Sequence, residues 1–249
     1  MTNFYGYKRL AKIDDWRAIV GPKNWQPKAS AYELAHCWAE SGRLPIAISN
    51  AIERSGHAML RGVTLHLCLV EKPVFLDTRT APSMTDLMGY GSNGKGDEII
   101  VAVEGKAKEP FALPVRAWVK GDALNPPATA TSRPTRLRRL EFLSKHLAHT
   151  ISPESPLRYQ LLHRTVSAVL EAQLHGAAAA LVLVHSFGAD AGENFVDFRN
   201  FVREMGGDTV EQGSVSGPHK LGEERDLPTY FLWWRQPWLG STSSGQTTL

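Results

Sequence analysis

The chain has 249 residues, of which 43% are hydrophobic and 21% charged, enough apolar material for a sizeable core. With two cysteines in that length, a disordered chain, a collagen-like fibre and a cysteine-stapled miniprotein are excluded. The formal net charge of +3, from 28 basic and 25 acidic residues, is too small to point to nucleic acid by itself.

Cys37 and Cys68 sit in apolar surroundings without metal-ligand spacing, and read as free thiols of a reducing compartment. The chain opens without a long apolar run, so no signal peptide is expected. The longest apolar stretch, Ala177 to Val184, is less than half a membrane span. The expectation is a soluble, cytoplasmic protein with no membrane partner.

Residues 1–21 read as a polar and aromatic extension with little period, followed by a single domain over 22–238. Ser30 with Glu33 three residues later predicts a capping box. Leu34 and Trp38 share one face of the helix it opens, and Gly42 ends it. A second short helix follows Pro45 and stops at Gly56. From Gly62 the period becomes two, with Val63, Leu65, Leu67 and Leu69 alternating against Thr64, His66, Cys68 and Val70, which predicts a strand. A separate short strand is expected from Val74 to Leu76.

Two runs, Ser83 to Tyr90 and Glu98 to Lys106, flank a polar, glycine-rich turn and predict a β-hairpin. Gly91 to Gly96 lacks the spacing of a phosphate-binding loop, and a strand follows where a helix would be needed. A short helix carries Val115 and Trp118. The Pro-, Ala- and Thr-rich stretch 121–135 reads as a surface excursion. A helix then places Leu137, Leu140, Leu143 and Leu147 on one face, with Arg138, Arg139 and Lys145 off it.

The strongest helical pattern spans Leu157 to His175, and the run Ala178 to Phe187 reads as a strand buried on both faces. A helix near Glu193 to Met205 and a last strand, Tyr230 to Trp234, complete the domain. A disordered tail is expected over 239–249. The order of elements predicts an α/β (α+β) domain, a mixed central sheet flanked by helices.

Chemistry is concentrated in the hairpin. Glu104 and Lys106 are two apart on a strand, so both side chains leave the same face. If the hairpin turns about Lys95, Asp86 stands opposite Glu104. Carboxylates opposed in an antiparallel pair have Cβ atoms about 5 Å apart, which is unfavourable unless a cation joins them. Asp86, Glu104 and the carbonyl of Gly105 or a neighbour supply the hard oxygen donors that Mg²⁺ prefers, with Mn²⁺ as a substitute. Lys106 would orient a water and stabilise charge developing on phosphorus. The Glu-x-Lys triplet alone is cheap, and its place at the end of a buried strand with a mirrored acid is what gives it weight.

Asp86 followed by Glu104-Gly105-Lys106 at the end of the next strand resembles the catalytic signature of the PD-(D/E)xK nuclease superfamily. That superfamily's core runs helix, three-stranded meander, helix, strand, so the resemblance implies a restriction-endonuclease-like core. Residues 29–41, 63–70 with the hairpin, 157–175 and 178–185 would fill those places. It also implies Mg²⁺-dependent hydrolysis of DNA, with Asp86, Glu104, Lys106 and Gln160 as catalytic residues. Glu33 or Glu40 would match the first-helix glutamate of some branches. Thr85 stands where many members have proline. From about residue 22 to 235 the chain is further similar to a group of bacterial proteins of undefined function, through runs such as Val101-Ala102-Val103-Glu104-Gly105-Lys106 and Arg158-Tyr159-Gln160-Leu161-Leu162-His163.

Gln160, Arg164, Ser167 and Glu171 follow at steps of four, three and four and form one polar stripe. Gln160 and Arg164 read either as projecting toward metal and phosphate or as part of a solvated face, with Arg164 near Glu171. His163 and His185 are supporting candidates, each weighed against a hydrogen-bonded structural role. Lys28, Arg136, Arg138 and Arg139 are candidates for backbone contact with a nucleic acid, weighed against ordinary solvation. Two other readings stay open: an inactive binding scaffold with the same fold, and a hydrolase of another phosphate ester. A homodimer is left open as well.

Overall fold

A computed structural model of the chain describes residues 2–6, 8–77, 82–121, 132–188, 192–207, 210–223 and 225–239. Seven strands form one mixed sheet. They are β1 (Asn3–Tyr5), β2 (Thr64–Val74), β3 (Ser83–Ser92), β4 (Glu98–Lys106), β5 (Ala179–Phe187), β6 (Val215–Leu221) and β7 (Leu227–Gln236), in the spatial order β1-β2-β3-β4-β5-β7-β6. β2, β3 and β4 make an antiparallel meander, and β5 and β7 then run parallel to β4 and to each other.

Helices cover both faces. α1 (Ile13–Val20), α2 (Ser30–Ser41) and α3 (Ile46–Arg54) pack on one side through Trp16, Leu34, Trp38, Ile48 and Ile52. On the other side lie α4 (Val115–Lys120), α5 (Ser132–His146), α6 (Tyr159–Leu174) and α7 (Gly192–Glu204). β5 is buried along its whole length. Ala180, Val182 and Val184 enter the second core and Ala179, Leu181 and Leu183 the first, as its unbroken apolar pattern requires. The mixed α/β architecture is the one expected. Its sequence of helix, meander, helix and parallel strand is compatible with a restriction-endonuclease-like core.

Several expectations are corrected. Residues before 21 supply β1, paired in parallel with β2, and α1, whose Trp16 is buried beside Phe4. The strand expected at Val74 is the end of an unbroken β2. β6 was missed, its turn-rich composition masking an edge strand beside β7. At α2, Glu33 does not complete a box with Ser30; it accepts the Lys28 amide at 3.1 Å and the Leu239 amide at 2.9 Å. α5 already begins at Ser132, inside the stretch read as an excursion, while 122–131 and the tail from 240 lie outside the described residues.

α5 also buries two of the arginines read as backbone contacts. Arg136 donates to the carbonyls of Val119 and Lys120, and Arg139 pairs with Asp77 at 3.0 Å. Cys37 and Cys68 are both free thiols.

Candidate functional site

The hairpin register is the one that a turn about Lys95 dictates: Ser92 pairs with Glu98, and the pairing runs unbroken to Leu87 and Val103. Asp86 and Glu104 are the next residues outward. Beyond that point β3 and β2 both change which face their side chains take. Ser83 and Thr85 bond to α6, yet Leu87 enters the α1–α3 core and Met88 the α6 core. In β2, Val74 and Lys72 face α6, whereas Val70 faces α1–α3 and Leu69 faces α6 again. Both strands change face at Asp86 and Glu71, which lie between the pairs Val70–Leu87 and Lys72–Thr85 with the register kept. Glu71 has φ +50, a backbone conformation that side chains other than glycine seldom adopt. Paired irregularities of this kind re-aim side chains at a sheet edge.

β4 keeps its alternation, so Glu104 and Lys106 both point at α6. There Glu104 is saturated. Its Oε1 accepts Lys106 Nζ at 2.8 Å and Gln160 Nε2 at 2.6 Å; its Oε2 accepts Arg164 Nε at 2.7 Å, with Nη2 at 2.6 Å. Arg164 also donates from Nη1 to Thr85 Oγ1 at 2.6 Å and from Nη2 to the Met84 carbonyl. Glu104 and Arg164 are each 2% exposed and Lys106 is 4% exposed. The Lys106 ammonium lies 5.0 Å from the centre of the Phe111 ring.

Asp86 joins from the side. The Gly105 amide donates to its Oδ2 at 2.8 Å, and its Oδ1 lies 3.8 Å from Arg164 Nη2. Its side chain is 26% exposed, which opens the cluster to solvent. A Cβ on Gly105 would stand 3.4 Å from Asp86 Oδ2 and 3.4 Å from Ser30 Cβ, so glycine lets α2 and Asp86 close on β4.

The two carboxyls are driven apart in acidity. Burial opposes the charge on Glu104, but Arg164 and Lys106 outweigh it and hold the carboxyl down to about 2. Burial, and next the Glu104 carboxylate, push Asp86 up to about 8. Glu71 is also raised, by burial first and with Glu104 adding, while Arg164 opposes.

The cluster thus gathers Asp86, Glu104, Gly105, Lys106, Gln160 and Arg164, and adds Glu71, Thr85 and Met84. Sequence reasoning missed Glu71 because β2 was read as stopping at Val70; a register for the first hairpin would have placed it beside Asp86. Of the two readings of the α6 polar stripe, the structure bears out the inward one: Gln160 and Arg164 face the sheet and bond Glu104, and the solvated face with Arg164 near Glu171 is not found. Glu171 belongs to a separate group, accepting Tyr90 Oη at 2.6 Å and Lys72 Nζ at 3.2 Å.

Three supporting candidates have other partners. Glu33 holds two backbone amides. His163 Nδ1 pairs with Ser83 Oγ at 2.8 Å, and burial, then Arg164, holds the ring down to about 3. His185 accepts Trp38 Nε1–H at Nδ1 over 3.1 Å, which leaves its Nε2–H for Gln236, 3.2 Å away. Burial keeps that ring down to about 3 as well.

Chemically, the donors suit a hard cation: two carboxylates and a backbone carbonyl at adjoining strand ends. Among the described residues, however, no three His, Cys, Asp or Glu side chains are gathered to hold a metal as they stand. The position between the carboxylates belongs to the Arg164 guanidinium.

The chain belongs to the family described as a domain of unknown function, DUF6946, whose model matches residues 9–237. No curated protein and no solved structure matches it. Among the described residues no helix is long and apolar enough to cross a membrane.

Proposed function

We propose that this domain is a metal-dependent phosphodiesterase acting on DNA. The observation that carries the reading is the contact of one nitrogen, Arg164 Nη2, with both carboxylates, 2.6 Å from Glu104 Oε2 and 3.8 Å from Asp86 Oδ1. Two acids held that closely, with a lysine bonded to one of them and a solvent opening at the other, are arranged for a cation and an anionic substrate.

Asp86, Glu104 and the Gly105 carbonyl would hold Mg²⁺ or Mn²⁺. When bound, the ion supplies a Lewis acid that draws charge from a phosphate oxygen and makes a water more acidic. Lys106 orients the attacking water and offsets charge developing on phosphorus. Gln160 fixes Glu104 from α6 while its own Oε1 accepts the Ala112 amide at 3.2 Å, so the carboxylate cannot turn freely. Asp86, whose carboxyl burial and the Glu104 carboxylate push up, would hold the ion in its ionised form, and a bound cation would offset the cost of that charge.

The saturation of Glu104 favours a second reading, a scaffold in which the ionic cluster pins α6 to β4 and does nothing more. Incubating wild type and Lys106→Ala with single-stranded, double-stranded and nicked DNA in Mg²⁺ or Mn²⁺ separates the two. Cleavage by wild type alone supports the nuclease. Cleavage by neither supports the scaffold, unless wild type hydrolyses a small chromogenic diester, which would mark another phosphate-ester substrate.

A further inference from the structure

The first dozen residues, which carry little period in sequence, build the wall of a cavity. β1 ends after three residues, and the chain returns to it at Leu10, whose amide donates to the Phe4 carbonyl at 2.8 Å. Thr2 fixes the other side. Its amide donates to the Gly42 carbonyl at 3.0 Å and its hydroxyl to the Leu65 carbonyl at 2.8 Å. Gly42 is where α2 stops in the left-handed conformation, just before the turn into α3. Between these walls lies a cavity of about 970 Å³, the size of a small-molecule site. Main-chain bonds hold it on both sides, so it is formed before any ligand arrives.

Its lining is apolar with a basic excess. Phe4, Leu44 and Leu65 belong to the α1–α3 core, and Ile46 stands 63% exposed at the edge. A branch of about 250 Å³ shares Phe4, Leu10 and Glu40 with the main cavity and runs to Trp16. Arg9 and Arg43 also line the cavity, and among the described residues neither guanidinium has an ion-pair or hydrogen-bond partner. The acid on the wall, Glu40, already lies 3.1 Å from His36 Nδ1. An apolar body would be dehydrated on this floor, and the two guanidiniums suit the oxygens of an anionic head.

We propose that this cavity binds a soluble amphipathic anion, a medium-length acyl chain ending in a carboxylate. Arg9 and Arg43 take the head group, and the chain runs past Phe4 and Leu10 toward Trp16. The site is separate from the acidic cluster and does not rest on the metal-dependent reading. The cavity meets β2 at Thr64 and Leu65, whereas the cluster meets it at Glu71, about 20 Å along the strand.

The test is titration calorimetry of the full chain with decanoate, octanoate and octanol. Arg9→Gln, Arg43→Gln and the double variant serve as controls for the head group. Both arginines are exposed, so these changes leave the fold intact. Decanoate should bind wild type, and octanoate should bind about fifteenfold more weakly, at about fourfold for each buried CH₂ lost. Each single variant should weaken octanoate by up to about fivefold, the span of a partly exposed ion pair. Octanol, the same chain without the charge, should bind wild type and the double variant equally. No binding of decanoate, octanoate as tight as decanoate, or undiminished octanoate affinity in the double variant overturns the proposal.

Two further readouts fix the place and the source. The Trp16 Nε1–H resonance, assigned by its loss in Trp16→Phe, should shift with decanoate; a fixed resonance while decanoate binds would put the ligand elsewhere and overturn the proposal. Vesicles of phosphatidylglycerol should leave the chain in solution. Sedimentation with them that is lost in the double variant would give the arginines to a membrane surface, and would overturn it too.

Discussion

The Gly105 amide donates to Asp86 Oδ2 across 2.8 Å, so the backbone between Glu104 and Lys106 itself holds the second carboxyl. Asp86 and the end of β4 are therefore coupled by one main-chain bond, whatever the side chains around them do. Gly105→Ala should keep the fold, since its Cβ meets Asp86 and Ser30 at 3.4 Å and neither contact is a hard overlap. The carboxyl must still shift by a few tenths of an ångström. Thermal unfolding should move little, while Mn²⁺ affinity falls; unchanged affinity would mean that this bond does not position Asp86.

Removing Glu104 should cost more than removing any other member of the cluster. Glu104→Leu leaves Arg164 and Lys106 buried without their counter-charge. The expected loss is about 3–5 kcal/mol in denaturant unfolding, the range for breaking a buried pair on one side. A loss below about 1 kcal/mol would show that the pair is already solvated.

Asp86 sets a pH dependence of definite sign. Its carboxyl is raised from 3.8 to about 8 in the folded chain, so the native state binds the extra proton between those values. Its contribution is complete below pH 3.8 and is lost as pH rises through about 8. Asp86→Asn should therefore gain stability relative to wild type as pH climbs from 6 to 9. Glu104 works the other way, with its contribution lost only as pH falls toward about 2. Parallel stability curves for wild type and Asp86→Asn would contradict the assignment.

Tyr90, Lys72 and Glu171 test the opposite expectation. Tyr90 Oη donates to the buried Glu171 carboxylate at 2.6 Å, at the far end of α6 from Gln160. Tyr90→Phe should destabilise the chain by about 1.5–3 kcal/mol, the span for a hydrogen bond to a charged group. Mn²⁺ affinity should stay the same. A loss of affinity would extend the functional cluster along the whole helix.

Much of the site was legible because a hairpin obeys arithmetic. Once the turn is placed at Lys95, the register of β3 against β4 follows, and Asp86 is brought beside Glu104 with no knowledge of the rest. The buried β5 was equally plain from its unbroken apolar run. What stayed hidden depended on packing. The stripe Gln160, Arg164, Ser167, Glu171 looks the same whether it meets water or a sheet, and only the strand carrying Glu104 decides which. Glu71 was obscured because the alternating run reads only as far as Val70, with a separate strand from Val74, where β2 in fact continues. Residues 13–20 carry a helix whose single buried large side chain, Trp16, leaves little period to read.

The most direct measurement is anomalous diffraction from crystals grown with Mn²⁺. The account predicts a peak about 2.1 Å from carboxylate oxygens of both Asp86 and Glu104, with Arg164 Nη2 withdrawn from between them. A structure at saturating Mn²⁺ in which the guanidinium still bridges the two acids, and no peak stands beside either, would contradict it.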